Sequence, residues 1–159
     1  MNKPNIAILG ATGVVGREII QIIDELKIEF NKIKFLSSAK SAGTKMEFQG
    51  KTYIVEEAKP ESFDGINIVL ASAGASTSKV FAPEIVKRGG VLTDHSSAFR
   101  MEKDVPLVIA YVNDDDLKNH KGIIANPNCS TSQLMLVLKP LIDKVNMKRL
   151  IVTTYQSVS

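Results

Sequence analysis

Asn5-Ile6-Ala7-Ile8-Leu9-Gly10-Ala11-Thr12-Gly13-Val14-Val15-Gly16 joins an apolar run to a turn punctuated by glycine. The run Asn5–Leu9 is almost continuously apolar, as a parallel strand buried on both faces requires. From Val14 to about Lys27, Val15, Ile19, Ile22, Ile23 and Leu26 recur at helical spacing on one face. Strand, glycine turn and helix, in that order, turn a glycine pattern into a dinucleotide-binding hypothesis. Glycine permits the tight turn and lets phosphates approach backbone N–H groups at the helix start. The spacing is G-x-x-G-x-x-G, a variant of the commoner G-x-G-x-x-G. A tight strand-to-helix turn without a ligand would carry the same glycines.

Further along, a second strand, Lys32 to Leu36, ends in Ser37-Ser38-Ala39-Lys40-Ser41-Ala42-Gly43-Thr44. An NAD site usually places an acidic residue here for the ribose 2′-hydroxyl, and none is present. Hydroxyls and a lysine suit a 2′-phosphate, so the loop favours NADP(H) over NAD, although a solvated polar loop has a similar composition. Two alternating runs, Lys45–Gln49 and Lys51–Glu56, read as a hairpin extending an edge of the sheet. Ile66–Ala71 is a further buried strand, ending in the small residues Ser72-Ala73-Gly74-Ala75-Ser76-Thr77. Ser76 or Thr77 is expected to cap a helix that runs to about Arg88 and is kinked by Pro83. Gly90–Asp94 and the strand-like Pro106–Ala110 complete an open α/β pattern. Between them Arg100 has the fork geometry of an anion ligand, or is an ordinary surface arginine. Asn113-Asp114-Asp115-Asp116 reads as a helix cap, and no convergent set of metal ligands is present.

The single cysteine stands in Ala125-Asn126-Pro127-Asn128-Cys129-Ser130-Thr131-Ser132-Gln133. Gly122–Ala125 reads as a strand stopped by Pro127, and Ser130-Thr131-Ser132 opens a helix over Gln133–Asn146 that Pro140 should bend near its middle. Cys129 then lies at a helix N-terminus, where free N–H groups and the macrodipole favour a thiolate. The same N–H groups would hold the oxyanion formed when that thiolate attacks a carbonyl. A small buried apolar cysteine is the other reading. The chain closes on a β-rich segment, with Leu150–Tyr155 expected to be a strand.

Composition narrows the possibilities. The 159 residues suffice for an ordinary hydrophobic core, and one cysteine rules out an internal disulfide and suits a reducing, cytoplasmic compartment. No apolar run reaches membrane-spanning length, and Met1-Asn2-Lys3-Pro4 lacks a signal-peptide hydrophobic region. A net charge of +3 with scattered basic residues suits small anions and gives no warrant for nucleic acid.

Taken together, GATGVVG, SSAKSAG, SAGAST, SSAFR, NPNCSTSQ and TTYQSVS resemble the amino-terminal half of aspartate-semialdehyde dehydrogenase, in the family's order and over essentially the whole chain. The resemblance implies a Rossmann-like, doubly wound, mostly parallel sheet with flanking helices over residues 1–128. Residues 129–159 would then be the cysteine helix and first strand of an incomplete catalytic domain. It implies NADPH-dependent reductive dephosphorylation of L-aspartyl-4-phosphate to L-aspartate 4-semialdehyde, on the route to lysine, threonine and methionine. A related reductase acts on N-acetylglutamyl phosphate, but its cysteine motif differs.

By that resemblance Cys129 is the nucleophile, Asn128 helps orient substrate and hold the oxyanion, Arg100 binds phosphate, and Gln156 positions substrate near the thiol. Gly10, Thr12, Gly13, Val14 and Val15 correspond to the pyrophosphate turn. Ser38, Lys40 and Ser41 correspond to the 2′-phosphate loop, while Thr77 and Ser159 approach the cofactor. Three positions depart from the family's usual pattern: Lys40 often aligns with arginine, His95 with asparagine and Tyr111 with an acid. The acid/base histidine and substrate arginine of the family's second half have no match here. The chain is therefore expected to be an incomplete enzyme that binds NADP(H) but turns over poorly, and a homo-oligomer when full length.

Overall fold

Strand β1 (Asn5–Leu9), helix α1 (Val14–Glu25) and strand β2 (Lys32–Ser37) make the first unit of the computed structural model, which describes residues 3–155. β1 and β2 pair in parallel, from Asn5↔Lys32 to Leu9↔Leu36. An antiparallel hairpin follows, β3 (Lys45–Phe48) and β4 (Lys51–Ile54), then the two-residue strand β5 (Glu56–Glu57), parallel to β2. The chain next crosses to the other side of β1. There it lays down β6 (Ile68–Ala71), helix α2 (Ala75–Lys87), β7 (Val91–Asp94) and β8 (Ile123–Ala125). Strand order is β5-β2-β1-β6-β7-β8, all parallel. This is the expected doubly wound sheet, and its order reverses between β1 and β6, where such sheets hold ligands at their carboxyl ends.

Side chains alternate across the strands, so β1 feeds two cores. Ile6 and Ile8 join Ile20, Ile23 and Phe35 on one face; Ala7 and Leu9 join Val69, Ala82, Ile85 and Leu92 on the other. Fully burying one large apolar side chain contributes roughly 1.5–3 kcal/mol relative to leaving it exposed. The hairpin covers one face rather than extending an edge as expected. Phe48 and Tyr53 seat their rings 5.8 and 5.0 Å from that of Phe35, and only Glu56 and Glu57, just beyond it, pair with the main sheet.

Other expectations need correction. Helix α2 starts at Ala75 with Gly74 as its N-cap, at φ +86°, where glycine escapes the Cβ penalty, so Ser76 and Thr77 lie within the first turn. The helix continues through Pro83 to Lys87 because its Ser78–Ala82–Ile85 face is buried on the sheet. Pro106–Ala110 forms no strand, only a single bridge between Leu107 and Ala125. Asn113 does stand at the N-cap of a short 3-10 helix, Asp114–Asn119, with Asp114, Asp115 and Asp116 in its first turn as expected, but its side chain makes no cap hydrogen bond. Instead Asn113 Oδ1 accepts from Ile109 N at 2.8 Å and Asp114 Oδ1 from Tyr111 N at 2.9 Å, in the preceding turn.

Helix α3 spans Cys129–Ile142, so it begins and ends four residues earlier than expected, and Pro140 falls in its last turn. Leu150–Tyr155 is exposed and forms no strand, since no strand among the described residues pairs with it. No helix among the described residues is long and apolar enough to cross a membrane.

Candidate active site

At the reversal point lies a cleft of about 470 Å³, walled by the turn after β1, the loop after β2 and the loop after β6. Backbone geometry shapes its floor. Gly10 N and Ala11 N both donate to Leu36 O, at 2.8 and 3.1 Å, which draws the turn over β2. Gly10 sits at φ +90°, and a Cβ there would stand 3.0 Å from Ala73 N. A Cβ on Gly16 would lie 2.2 Å from Gly10 O, so only glycine lets α1 start so close to the strand. Helix α1 has Gly13 as N-cap, no side-chain cap and no acid in its first turn. The N–H groups of Val14 and Val15 have no partner among the described residues, leaving the positive end of the helix open to an anion.

The side walls are polar. Thr12 Oγ1 and Ser37 Oγ share a hydrogen bond of 2.9 Å across the mouth of the turn. Ser72 Oγ is buried with no hydrogen-bond partner among the described residues, and it suits a polar group of a ligand. A close-approach glycine, an uncapped helix and an orphan hydroxyl on one cleft fit the phosphates and sugar of a dinucleotide. A larger hollow, about 810 Å³, involves Lys3, Asn31 and Lys32 at the opposite, amino ends of the strands and carries none of these features.

The second cluster lies at the carboxyl ends of β7 and β8. Asn128 is the N-cap of α3: its Oδ1 accepts from Ser130 N at 3.0 Å and Ser130 Oγ at 2.6 Å. Cys129 is therefore the first helical residue, and its thiol is exposed, 3.8 Å from Asn128 Oδ1. The N–H groups of Cys129 and Thr131 have no partner among the described residues and suit an oxyanion.

The loop before Cys129 is tied to the sheet. Arg100 Nε donates to Asn126 O at 2.8 Å and Nη2 to His95 O at 3.1 Å. Asn126 N donates to Asp94 O at 2.8 Å. Asp94 is fully buried and accepts from Ser78 Oγ at 2.6 Å and Ser96 Oγ at 2.7 Å. Burial holds the His95 imidazole below its ordinary pKa, opposed by the charge of Asp94 and reinforced by that of Arg100. A neutral ring leaves Nδ1 free to accept from Asn126 Nδ2, 3.2 Å away.

Residues 5–120 match the family described as semialdehyde dehydrogenase, NAD binding domain. The chain belongs to the semialdehyde dehydrogenase family. Aspartate-semialdehyde dehydrogenase of Bacillus subtilis is 48% identical over 155 residues, 98% of this chain and 45% of that enzyme. The structure of aspartate-semialdehyde dehydrogenase II from Vibrio cholerae superposes with a TM-score of 0.87 at 37% identity, covering 91% of this chain and 44% of that one. The Candida albicans enzyme, solved with NADP, gives a TM-score of 0.69 at 28% identity, with 89% of this chain and 47% of that one covered. The resemblance read from the motifs is borne out, and the chain spans less than half the length of these relatives.

As a semialdehyde dehydrogenase domain, the chain gathers some expected site residues and separates others. Gly10, Thr12, Gly13, Ser38, Ser41 and Thr77 line the cleft. Val14 and Val15 follow in the exposed first turn, and Lys40 is exposed beside the cleft rather than lining it. Cys129, Asn128 and Arg100 form the second cluster, but Asn128 Oδ1 is occupied as a cap and two Arg100 nitrogens hold backbone carbonyls. Gln156 and Ser159 lie outside the described residues. His95 meets Asn126 rather than the thiol, and His120 Nδ1 accepts from Gly122 N at 3.1 Å, a loop contact.

Ser37, Ser72 and Glu57 of the cleft and Asn126 of the cysteine loop were not singled out from sequence. Their one common signal is position, at or just past the carboxyl end of a parallel strand.

Proposed function

We propose that this chain supplies the cofactor cleft and the nucleophile of an aspartate-semialdehyde dehydrogenase. The enzyme would be cytoplasmic and, at full length, homo-oligomeric. One observation carries the reading: an exposed cysteine opens helix α3 on the same carboxyl edge of the sheet as the cleft. From β1 to β8 is three strand spacings, roughly 14 Å. Ser38, Ser41 and Lys40, with no acid at the end of β2, suit the 2′-phosphate of NADP(H). Thr12, Gly13, Val14 and Val15 would take the pyrophosphate, and by the family resemblance Thr77 and Ser159 would contact the cofactor.

In the biosynthetic direction the Cys129 thiolate attacks the carbonyl of L-aspartyl-4-phosphate. The carbonyl carbon–phosphate oxygen bond breaks, inorganic phosphate leaves and a thioester remains. The Cys129 and Thr131 N–H groups would hold the oxyanion in passing. Arg100, whose Nη1 has no partner among the described residues, would contact the phosphate while its other nitrogens keep the cysteine loop in place. Gln156 would position the substrate. NADPH, when bound, supplies the hydride that converts the thioester to L-aspartate 4-semialdehyde and frees the thiolate.

The acid/base histidine and substrate arginine have no match in this chain, so alone it would bind NADP(H) yet turn over at least roughly a hundredfold more slowly than a full-length relative. The remaining length of a relative would also cover the apolar flank of α3.

The test is a fusion of this chain to the part of the Bacillus subtilis enzyme beyond the matched region, assayed for phosphate-dependent reduction of NADP by aspartate semialdehyde. Activity that falls roughly a thousandfold or more in Cys129→Ala is expected. A fusion that binds NADPH but is inactive, or that keeps its rate in Cys129→Ala, would leave a binding module and overturn the assignment. Preference for N-acetylglutamyl phosphate in the reverse assay would move the substrate and keep the chemistry.

A further inference from the structure

The cleft holds a carboxylate close to where a phosphate is expected. Among the described residues that line it, Glu57 is the one acid. In the β2–β5 register Glu57 is the partner of Ser37, the last residue of β2. It therefore stands one strand spacing, about 4.8 Å, from the position at which dinucleotide sites read the ribose 2′ substituent. Left bare, a carboxylate there would accept a ribose hydroxyl and repel a 2′-phosphate, which is the signature of an NAD site. It is not bare. Lys59 Nζ lies 2.9 Å from Glu57 Oε2, with the two side chains 62% and 39% exposed. The hydrogen bond to Glu57, then its charge, raise the Lys59 ammonium above its ordinary range. Lys40, the cation expected from sequence to read the phosphate, is exposed and, like Lys59, stands beside the cleft rather than lining it, so that Lys59 reaches the cleft through Glu57.

We propose that the Glu57–Lys59 pair sets the choice between NADP(H) and NAD(H): Lys59 cancels the charge of Glu57 and supplies, with Lys40, the cations for the 2′-phosphate. The inference rests on the cleft's being the NADP site, and it makes Lys59 a specificity-determining residue. Lys59 need only pivot on its flexible stem between the carboxylate and an incoming phosphate, and both side chains are exposed enough to allow it. Removing Lys59 does more than delete one attraction, because it also uncovers a repulsive charge and frees an acceptor for the 2′-hydroxyl.

The experiment is a titration of the 159-residue chain with NADPH and with NADH, followed by nucleotide fluorescence, for wild type, Lys59→Ala, Glu57→Gln and the double variant. Lys59→Ala is expected to weaken NADPH roughly tenfold while leaving NADH unchanged or tighter. Glu57→Gln should tighten NADPH a few-fold, and adding it to Lys59→Ala should restore part of the loss. Thermal melts identify any variant that fails to fold, and the Glu57→Gln result stands independently of Lys59→Ala. Wild type that binds NADPH, with Lys59→Ala changing both nucleotides equally or neither, would overturn this inference alone. Wild type that prefers NADH, with the preference lost in Glu57→Gln, would make Glu57 the ribose acid and overturn it as well. Wild type that binds neither nucleotide would overturn the NADP reading of the cleft together with it.

Discussion

Around the cleft, β1 has both faces packed, with Ile6, Ala7, Ile8 and Leu9 at most 4% exposed; along α3, no residue from Cys129 to Ile142 is buried. The cleft's scaffold closes on itself through α1, α2 and the hairpin. The cysteine helix is finished only at its amino end, where Asn128 caps it and Arg100 ties down the approach. Leu136, Val137 and Leu141 along its body remain 48%, 64% and 53% exposed. The placement of Cys129 thus depends on local backbone and capping chemistry, whereas the helix body has no buried packing of its own among the described residues.

The sharpest attempt to break this contrast is a pair of truncations. Ile85→Ala, in the core under α2, should cost about 3 kcal/mol in denaturant unfolding. Leu141→Ala should stay within about 0.5 kcal/mol in this chain. Equal costs would mean that α3 packs as tightly as the sheet. Next in size, Gly16→Ala should cost about 2 kcal/mol and weaken NADPH binding, because its Cβ would meet Gly10 O. Wild-type affinity in that variant would show that the turn is not the phosphate site.

A smaller change probes the finished end of the helix. Asn128→Ala should cost about 1 kcal/mol or less and slow alkylation of Cys129 by iodoacetamide, as the first turn of α3 frays. An unchanged alkylation rate would separate the cap from the thiol.

Smallest is a pH effect. Burial lowers the folded pKa of His95 from its ordinary 6.5, so the unfolded chain takes up the proton first as pH falls. The stability contributed by the neutral ring is fully present above that value and is lost as pH drops through the folded pKa. Melting temperatures between pH 7.5 and 5 should decline more steeply for wild type than for His95→Asn. Parallel profiles would assign the ring no such part.

What the sequence made legible follows the same division. The glycine turn could be read because Gly10 and Gly16 answer local backbone demands. Cys129 does stand at a helix start, but Asn128, ahead of the Ser130-Thr131-Ser132 run, provides the cap, so the helix begins at Cys129 rather than Gln133. Ser76 and Thr77 have capping chemistry, yet Gly74 at positive φ begins α2 before them. Ser72 and Glu57 reach the cleft through pairings between residues far apart in the chain, β6 beside β1 and β5 beside β2, which periodicity cannot reveal. Leu150–Tyr155 has a strand's composition, but a strand also needs a partner.

Hydrogen–deuterium exchange on the 159-residue chain, with and without NADPH, tests the two-region account most directly. Slow exchange throughout β1, β6 and β7 is expected, with added protection at residues 10–16, 37–41 and 72–77 when NADPH is present, while 130–142 exchanges fast in both states. A glycine turn untouched by NADPH, or an α3 as protected as β1 without ligand, would contradict it.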